Sequence, residues 1–191
     1  VSSVLALKAD GSLWGWGFNM YGELFGYEGK QASPVRLGSE TDWEQVFMVD
    51  FRAYAVKKDG TLWAWGNNAD NLLGFNTPTE EESTVEGNPV EVVTEPVITV
   101  PTRVTAIEGK TLAISGCENT LSVATGTDGI IEKVWMLGSN TDGALGDGKG
   151  IGAGGKDIPF ATVPVNPSLK SSLKFSAMSS GQNFTVMLTD D

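Results

Sequence analysis

The sequence contains no histidine and only one cysteine, Cys117, among its 191 residues. Without histidine it lacks the commonest general base and metal ligand, which excludes Ser-His-Asp triads and most zinc chemistry. A lone cysteine cannot form a disulfide within the chain or a paired thiolate site. Residues 148–156 are glycine-rich but lack the Gly-Lys-Ser/Thr ending of a phosphate-binding loop. We therefore predict no enzyme activity, no cofactor and no metal.

Basic residues are also scarce, with 13 Lys and Arg against 24 Asp and Glu and a formal net charge of -11. Phosphate backbones select basic surfaces, so we predict no nucleic-acid partner. No apolar run is as long as a membrane-spanning helix, which predicts no membrane insertion. The most acidic segment, residues 79–96, is interpreted as a solvated excursion, with binding of a cation or a basic partner as the alternative.

Internal repetition is the strongest feature that the sequence does contain. Asp-Gly at 10–11 precedes Ser-Leu-Trp-Gly-Trp-Gly, and Asp-Gly at 59–60 precedes Thr-Leu-Trp-Ala-Trp-Gly. A third Asp-Gly, at 128–129, is followed by three extra turn residues and then by Val-Trp-Met-Leu-Gly. Alternating segments precede each Asp-Gly, and a fourth such segment lies at 184–189. Asp-Gly between two alternating runs predicts a β-hairpin in each copy.

Tryptophans recur on the second strand of each predicted hairpin. They are Trp14, Trp16, Trp63, Trp65 and Trp135. Residues two apart on a strand share a face, so each Trp-x-Trp pair lies on one side of its sheet. Large rings recurring at equivalent positions are typical of packing between repeats, and we predict that these five are structural core. The alternative is an exposed aromatic ladder that binds sugar.

A glycine-punctuated turn follows each hairpin, with the pattern Asn-x-x-Gly-x-Leu. It is clearest at 140–146 and recurs at 19–26 and 68–74, where Asn71 replaces the turn glycine. Glycine and asparagine there supply left-handed turn conformations. A proline-led strand then follows in the first two copies, beginning at Pro34 and Pro101.

This order of elements resembles the regulator-of-chromosome-condensation repeat, and the resemblance covers nearly the whole chain. It implies a β-propeller, commonly seven-bladed, in which each blade is a small antiparallel sheet and the ring serves as a protein-interaction surface. Members include an exchange factor for a nuclear GTPase, a plant light sensor and a secreted bacterial inhibitor of β-lactamase. We expect a bacterial-like member, secreted or on the cell surface rather than cytoplasmic.

The fold expected is all-β, built from propeller blades in one repeat array over 1–191. The approximate repeats are 1–50, 51–117 and 118–181, with 182–191 starting a further blade strand. Propellers close with about four to eight blades, so three blades leave two apolar side faces uncovered. We therefore expect a partial propeller, completed by further blades or by self-association into a larger or oligomeric ring.

The function predicted is a non-enzymatic protein-interaction platform, part of a larger bacterial extracellular or surface protein. Tyr21, Phe25 and Tyr27 are the candidate partner-binding residues, because aromatic loop residues are suited to protein contacts; packing of the turn itself is the alternative use of these rings. Two other functions stay open: a structural spacer in a surface or virion protein, and a carbohydrate-binding propeller.

Overall fold

The fold is all-β, as the sequence predicts. The computed structural model describes residues 3–75, 96–118, 120–140, 143–148, 161–165, 167, 175–181 and 184–189. These residues form 13 β-strands and one short 3-10 helix, Ala69–Asn71. No helix in these ranges has the length and apolar character needed to cross a membrane.

The first sheet has three antiparallel strands in the order in which they occur in the chain. They are β1 (Ser3–Leu7), β2 (Leu13–Gly17) and β3 (Gln31–Leu37). The turn between β1 and β2 is closed by a hydrogen bond from the Lys8 amide to the Ser12 carbonyl, at 3.0 Å. Glycine at position 11 has φ 81°, which a side chain would disfavour, so the Asp-Gly sequence determines this hairpin.

The second sheet has four antiparallel strands, again in chain order. They are β4 (Trp43–Val49), β5 (Arg52–Lys57), β6 (Leu62–Asn67) and β7 (Val97–Arg103). The β5–β6 hairpin repeats the β1–β2 hairpin, since Ala55 faces Trp63 as Ala6 faces Trp14. This register makes β1 the counterpart of β5 and β2 the counterpart of β6.

The third sheet begins with the same four-strand pattern and then continues into a further hairpin. Its strands are β8 (Lys110–Cys117), β9 (Thr120–Thr127), β10 (Ile130–Gly138), β11 (Ala161–Val165), β12 (Phe175–Gly181) and β13 (Phe184–Thr189). The β12–β13 hairpin joins the rest through one backbone pair, Ile131 with Phe175. Three sheets of this kind match the blades of a partial β-propeller; the repeat boundaries at 50, 117 and 181 stay a prediction.

The third hairpin accommodates its extra residues differently from the sequence expectation. We expected three extra residues in the turn after Asp128, but the turn is shorter than the other two. Only residues 128 and 129 separate β9 from β10, which begins directly at Ile130, whereas residues 8–12 and 58–61 separate the strands of the first two hairpins. The extra residues lengthen β10 instead, and a register shift between Ile131 and Lys133 absorbs the mismatch with β9. A β-bulge adds a residue to one strand without opening the turn, which explains this outcome.

Apolar side chains fill the spaces between successive sheets. One cluster lies between the first and second sheets and includes Leu13, Leu37 and Trp65. Another lies between the second and third sheets and includes Tyr54 and Trp135. The second sheet therefore uses its two faces for two different neighbours, and alternation along its strands supplies apolar residues to both.

Candidate protein-interaction surface

Three asparagines hold the turns that follow the hairpins. The side chain of Asn19 accepts a hydrogen bond from the Leu24 amide at 2.9 Å and donates one to the Tyr27 carbonyl at 2.8 Å. Asn68 and Asn140 accept equivalent bonds from the leucine amides five residues ahead, at 2.9 and 3.1 Å. These side chains replace backbone partners that an irregular turn lacks, so each loop is fixed at its base.

The residue at the turn-glycine position has a left-handed conformation in all three copies. Its φ is 74° at Gly22, 56° at Asn71 and 74° at Gly143. Asparagine is among the non-glycine residues that tolerate this region best. The departure from glycine at Asn71 therefore leaves the turn intact.

The aromatic residues predicted to bind a partner lie in the loop between β2 and β3, in different surroundings. Phe25 is half-buried and packs edge-on against Trp65, with ring centres 5.3 Å apart. Tyr21 is half-buried and contacts the ring of Phe51 in the β4–β5 turn, at 4.8 Å. Tyr27 is 38% exposed. Of the three, Tyr27 presents the most open ring to solvent.

Two further apolar side chains of this loop are exposed and were not singled out from the sequence. Phe18 is 38% exposed and Met20 is 60% exposed. They flank Asn19, whose side-chain amide donates a hydrogen bond to the Tyr27 carbonyl at 2.8 Å. We call Phe18, Met20 and Tyr27 the loop surface. No periodic pattern in the sequence distinguishes an outward from an inward ring in such a turn.

Glu23 is the one ionisable side chain of this loop that is fully buried. Burial raises the pKa of its carboxyl group above the usual value, and the backbone amides of Glu23 itself and of Tyr21 partly offset this rise; the Tyr21 amide donates to one carboxyl oxygen at 2.8 Å. The other oxygen has no hydrogen-bond partner among the described residues. The equivalent positions in the other turns hold Leu72 and Ala144, so the carboxyl stands where an apolar side chain fits.

At the opposite end of the sheets, the first two Asp-Gly hairpins each contain the same series of side-chain hydrogen bonds. In the first, the Trp14 indole donates to the Ser12 hydroxyl at 2.9 Å, and that hydroxyl donates to the Asp10 carboxylate at 2.6 Å. Thr61 links Trp63 to Asp59 in the same way. The bonds from Ser12 and Thr61 lower the pKa of both carboxyl groups. At this end the carboxylates are charged and hydrogen-bonded within their own hairpins, whereas the loop surface consists of exposed apolar side chains.

The tryptophans predicted as core lie on the faces of the sheets. Trp65 is fully buried, and its indole donates to the Glu23 carbonyl at 2.8 Å. Trp135 is also buried and donates to the Thr125 hydroxyl at 3.1 Å. Trp14, Trp16 and Trp63 are half-buried. Trp63 and Trp65 pack between the first two sheets, and Trp135 packs between the second and third.

The described part of the chain contains no group of three or more His, Cys, Asp or Glu residues that could hold a metal ion. Most of the acidic segment 79–96 and of the glycine-rich segment 148–156 lies outside the described residues. The Cys117 thiol is half-buried at the end of β8 and is not disulfide-bonded.

Solved structures with a similar fold cover almost the whole chain. Human WBSCR16 shares 20% identity at a TM-score of 0.67, over 99% of this chain and 43% of its own. Prp20p from Saccharomyces cerevisiae shares 17% identity at 0.69, over 98% of this chain and 42% of its own. The yeast RCC1 protein Prp20 bound to Kap60 shares 17% identity at 0.70, over 99% and 41%. No protein-family model and no curated protein sequence matches the chain.

These similarities establish an RCC1-like β-propeller fold. Sequence identities of 17 to 20% establish the fold alone. The chain spans less than half the length of the proteins it resembles.

Proposed function

We propose that the chain is a non-enzymatic protein-interaction platform and that a protein partner binds at the loop surface. One observation carries this proposal: three large apolar side chains are 38, 60 and 38% exposed at Phe18, Met20 and Tyr27, on a loop fixed by Asn19. Covering these side chains removes apolar area from water. Because the loop is already fixed, little conformational entropy is lost on binding.

The charge of the chain indicates what kind of partner fits. The chain has a net charge of -11, and Glu28 lies exposed next to Tyr27 in the same loop. Opposite charges around an apolar centre speed association and fix orientation. The expected partner therefore presents an apolar pocket surrounded by basic residues.

Proteins of similar fold support a binding role. Prp20p has described binding properties to Gsp1p and histones, and the same yeast protein has been seen bound to Kap60. One fold hosts different partners through different loops, so the partner of this chain has to be found from its own loop surface.

The proposal extends to the setting of the molecule. We place the chain in a larger bacterial extracellular or surface protein, because its acidic sequence shows none of the basic segments expected of a chromatin-bound exchange factor of the repeat family. The lack of catalysis is also part of the proposal, since the sequence has no histidine to serve as a general base. A structural spacer and a carbohydrate-binding propeller are the alternatives that the experiment has to separate.

Photo-crosslinking from two exposed positions tests where the partner binds. A photoreactive phenylalanine analogue replaces Met20 in one protein and Ile130 in a control; Ile130 is 48% exposed at the hairpin end of the third sheet. We expect a protein adduct from position 20 and none from position 130. Adducts from neither or equally from both would contradict the proposal. Glycan binding lost on Met20→Ser and Tyr27→Ser would instead favour the carbohydrate-binding alternative.

A further inference from the structure

The Asp-Gly turn of the third hairpin is tighter and more open to water than the turns of the first two. Residues 128 and 129 alone connect β9 to β10, and both have left-handed φ values, 50° and 79°. Two-residue turns with this conformation are the usual tight connection of a hairpin. Asp128, Gly129 and Ile130 are all exposed, whereas Gly11 and Gly60 in the other two turns are buried. Of the three hairpin turns, the third is therefore the one that solvent reaches most freely.

The carboxylates of the first two turns are held by hydrogen bonds that the third turn lacks. One oxygen of Asp10 accepts from the Ser12 amide at 2.9 Å and from the Ser12 hydroxyl at 2.6 Å. Asp59 is held in the same way by the threonine two residues further on, at 2.9 and 2.7 Å. Ile130 stands at the corresponding place in the third turn and has no hydroxyl. The Asp128 carboxylate makes no hydrogen bond or ion pair with any described residue.

The glycine amides of the three turns show the same contrast. The Gly11 amide donates to the Lys8 carbonyl at 2.9 Å, and the Gly60 amide donates to the Lys57 carbonyl at 2.7 Å. The Gly129 amide makes no such backbone bond with any described residue. In the third turn, the side-chain carboxyl group and the amide that follows it are thus both free of hydrogen bonds within the described chain.

Asp-Gly also occurs outside the hairpins, at 142–143 and 147–148. Asp142 lies outside the described residues. The Asp147 carboxylate accepts a hydrogen bond from the Asn140 side chain, at 3.0 Å. The three hairpin turns therefore form the matched set, since they occupy the same place in the repeat.

We propose that Asp128–Gly129 is a site of isoaspartate formation and that the first two hairpins resist this reaction. The Gly129 amide nitrogen attacks the side-chain carboxyl carbon of Asp128, which it reaches easily because glycine has no side chain. The carboxyl hydroxyl leaves with the amide proton as water, and a five-membered succinimide closes. Water then opens the ring. Opening at the side-chain carbonyl restores aspartate, whereas opening at the main-chain carbonyl leaves an isoaspartyl residue, whose peptide bond runs through the side chain.

The product presents a group that one class of enzyme recognises. An isoaspartyl residue carries a free α-carboxylate, to which isoaspartyl carboxyl methyltransferases transfer a methyl group from S-adenosylmethionine. The exposure of residues 128–130 leaves this carboxylate accessible to such an enzyme. The site lies at the hairpin end of the third sheet and does not depend on the loop surface.

Isomerisation also lengthens the main chain by one carbon, in a turn that is too tight to take it. Thr127 and Ile130 flank the turn and form the first pair of the β9–β10 register. The next residue, Ile131, is buried and pairs with Phe175 of β12, which joins the β12–β13 hairpin to the rest of the sheet. We therefore expect isomerisation to loosen the attachment of that hairpin.

Incubation of the folded chain at neutral pH in water enriched in a heavy oxygen isotope tests the proposal. Each ring that opens takes one oxygen atom from the solvent, and mass spectrometry of tryptic peptides locates it. We expect labelling and isoaspartate to accumulate at Asp128 at least about fivefold faster than at Asp10 and Asp59, because at those two positions a hydrogen bond has to break first. Isoaspartyl methyltransferase with labelled S-adenosylmethionine should then methylate the incubated chain.

Matched controls separate the effect of structure from that of sequence. In the chain unfolded by urea, the three hairpin Asp-Gly pairs should react at similar rates, since their hydrogen bonds are gone. Asp128→Glu should abolish labelling in the third turn, because the six-membered ring that it requires closes much more slowly. Thr61→Val removes the hydroxyl that holds Asp59, and should raise the rate at that position while leaving the rate at Asp128 unchanged.

Several results would overturn the proposal. These are absence of label at Asp128, equal rates at the three positions in the folded chain, or faster reaction at Asp10 or Asp59. Labelling of the third turn that persists in Asp128→Glu would come from another reaction and would also contradict it. Unchanged hydrogen exchange at Thr127 and Ile130 in the isoaspartyl form would contradict the loosening of the β12–β13 hairpin.

Discussion

The first and second sheets contain nearly the same hairpin in different surroundings. Trp16 and Trp65 hold the same register position, opposite Val4 and Ala53. Trp65 is fully buried because the first sheet covers it, whereas Trp16 is half-buried and Val4 is 42% exposed. The burial of a repeated residue is therefore a property of the junction between two sheets. A residue that is fully buried in one repeat is thus only partly buried in another.

The largest expected effect tests this difference directly. Trp65→Ala should lower the free energy of unfolding by about 3 to 5 kcal/mol, since it empties a large buried site. Trp16→Ala should cost about 1 to 2 kcal/mol, because part of that side chain is already in contact with water. Urea denaturation of both variants measures the two losses. Equal losses of stability would show that the register position of the tryptophan, and not its junction with a neighbouring sheet, determines its burial.

A smaller effect is expected at the asparagines that hold the turns. Asn68→Ala should cost about 2 to 3 kcal/mol, because it leaves the buried amide of Leu73 and the carbonyl of Phe75 without their side-chain partner. Asn19→Ala should cost about 1 kcal/mol, since Asn19 is half-buried and water can replace its bonds. The same denaturation experiment measures both. A larger loss at position 19 than at position 68 would contradict this order.

The smallest effect is expected at Glu23 and has the opposite sign. Its pKa is raised in the folded chain, so the carboxyl group destabilises the fold as pH rises from its unfolded value through its folded value. Glu23→Gln removes this charge and should raise the stability at pH 7 by about 1 kcal/mol, with little change at acidic pH. Melting temperatures across pH 4 to 8 give the comparison.

A neighbouring glutamate provides the control for that prediction. Glu28→Gln removes a carboxylate that is exposed in the same loop, and should leave the pH dependence of melting almost unchanged. If Glu28→Gln stabilises as much as Glu23→Gln, net charge and not burial explains the effect.

The overall fold could be predicted because its signals are local. Asp-Gly between alternating segments determines each hairpin within a few residues, and the tryptophans mark equivalent strands. The bulge near Ile131 is harder to predict, since lengthening a strand and lengthening a turn leave the same trace in the sequence. Strand alternation gives the two faces of a sheet, but it does not say which of them another sheet covers.

The candidate site was predictable only as a loop. Its aromatic residues Tyr21, Phe25 and Tyr27 are visible in the sequence, yet their exposure depends on contacts with the next sheet. Phe25 meets Trp65 and Tyr21 meets Phe51, both far along the chain. Met20 carries no signal at all, because a single apolar residue in a turn belongs to no period. Exposure in a loop is a tertiary property, and for that reason the loop surface emerged only from the structure.

Titration calorimetry with the protein that crosslinks at position 20 tests the central claim most directly. The wild-type chain is compared with a double variant, Met20→Ser and Tyr27→Ser, and with Ile130→Ser. We predict at least tenfold weaker binding in the double variant, the loss expected when central apolar contacts are removed, and unchanged binding in Ile130→Ser. Equal affinity of all three proteins would contradict the claim that the loop surface is the binding platform.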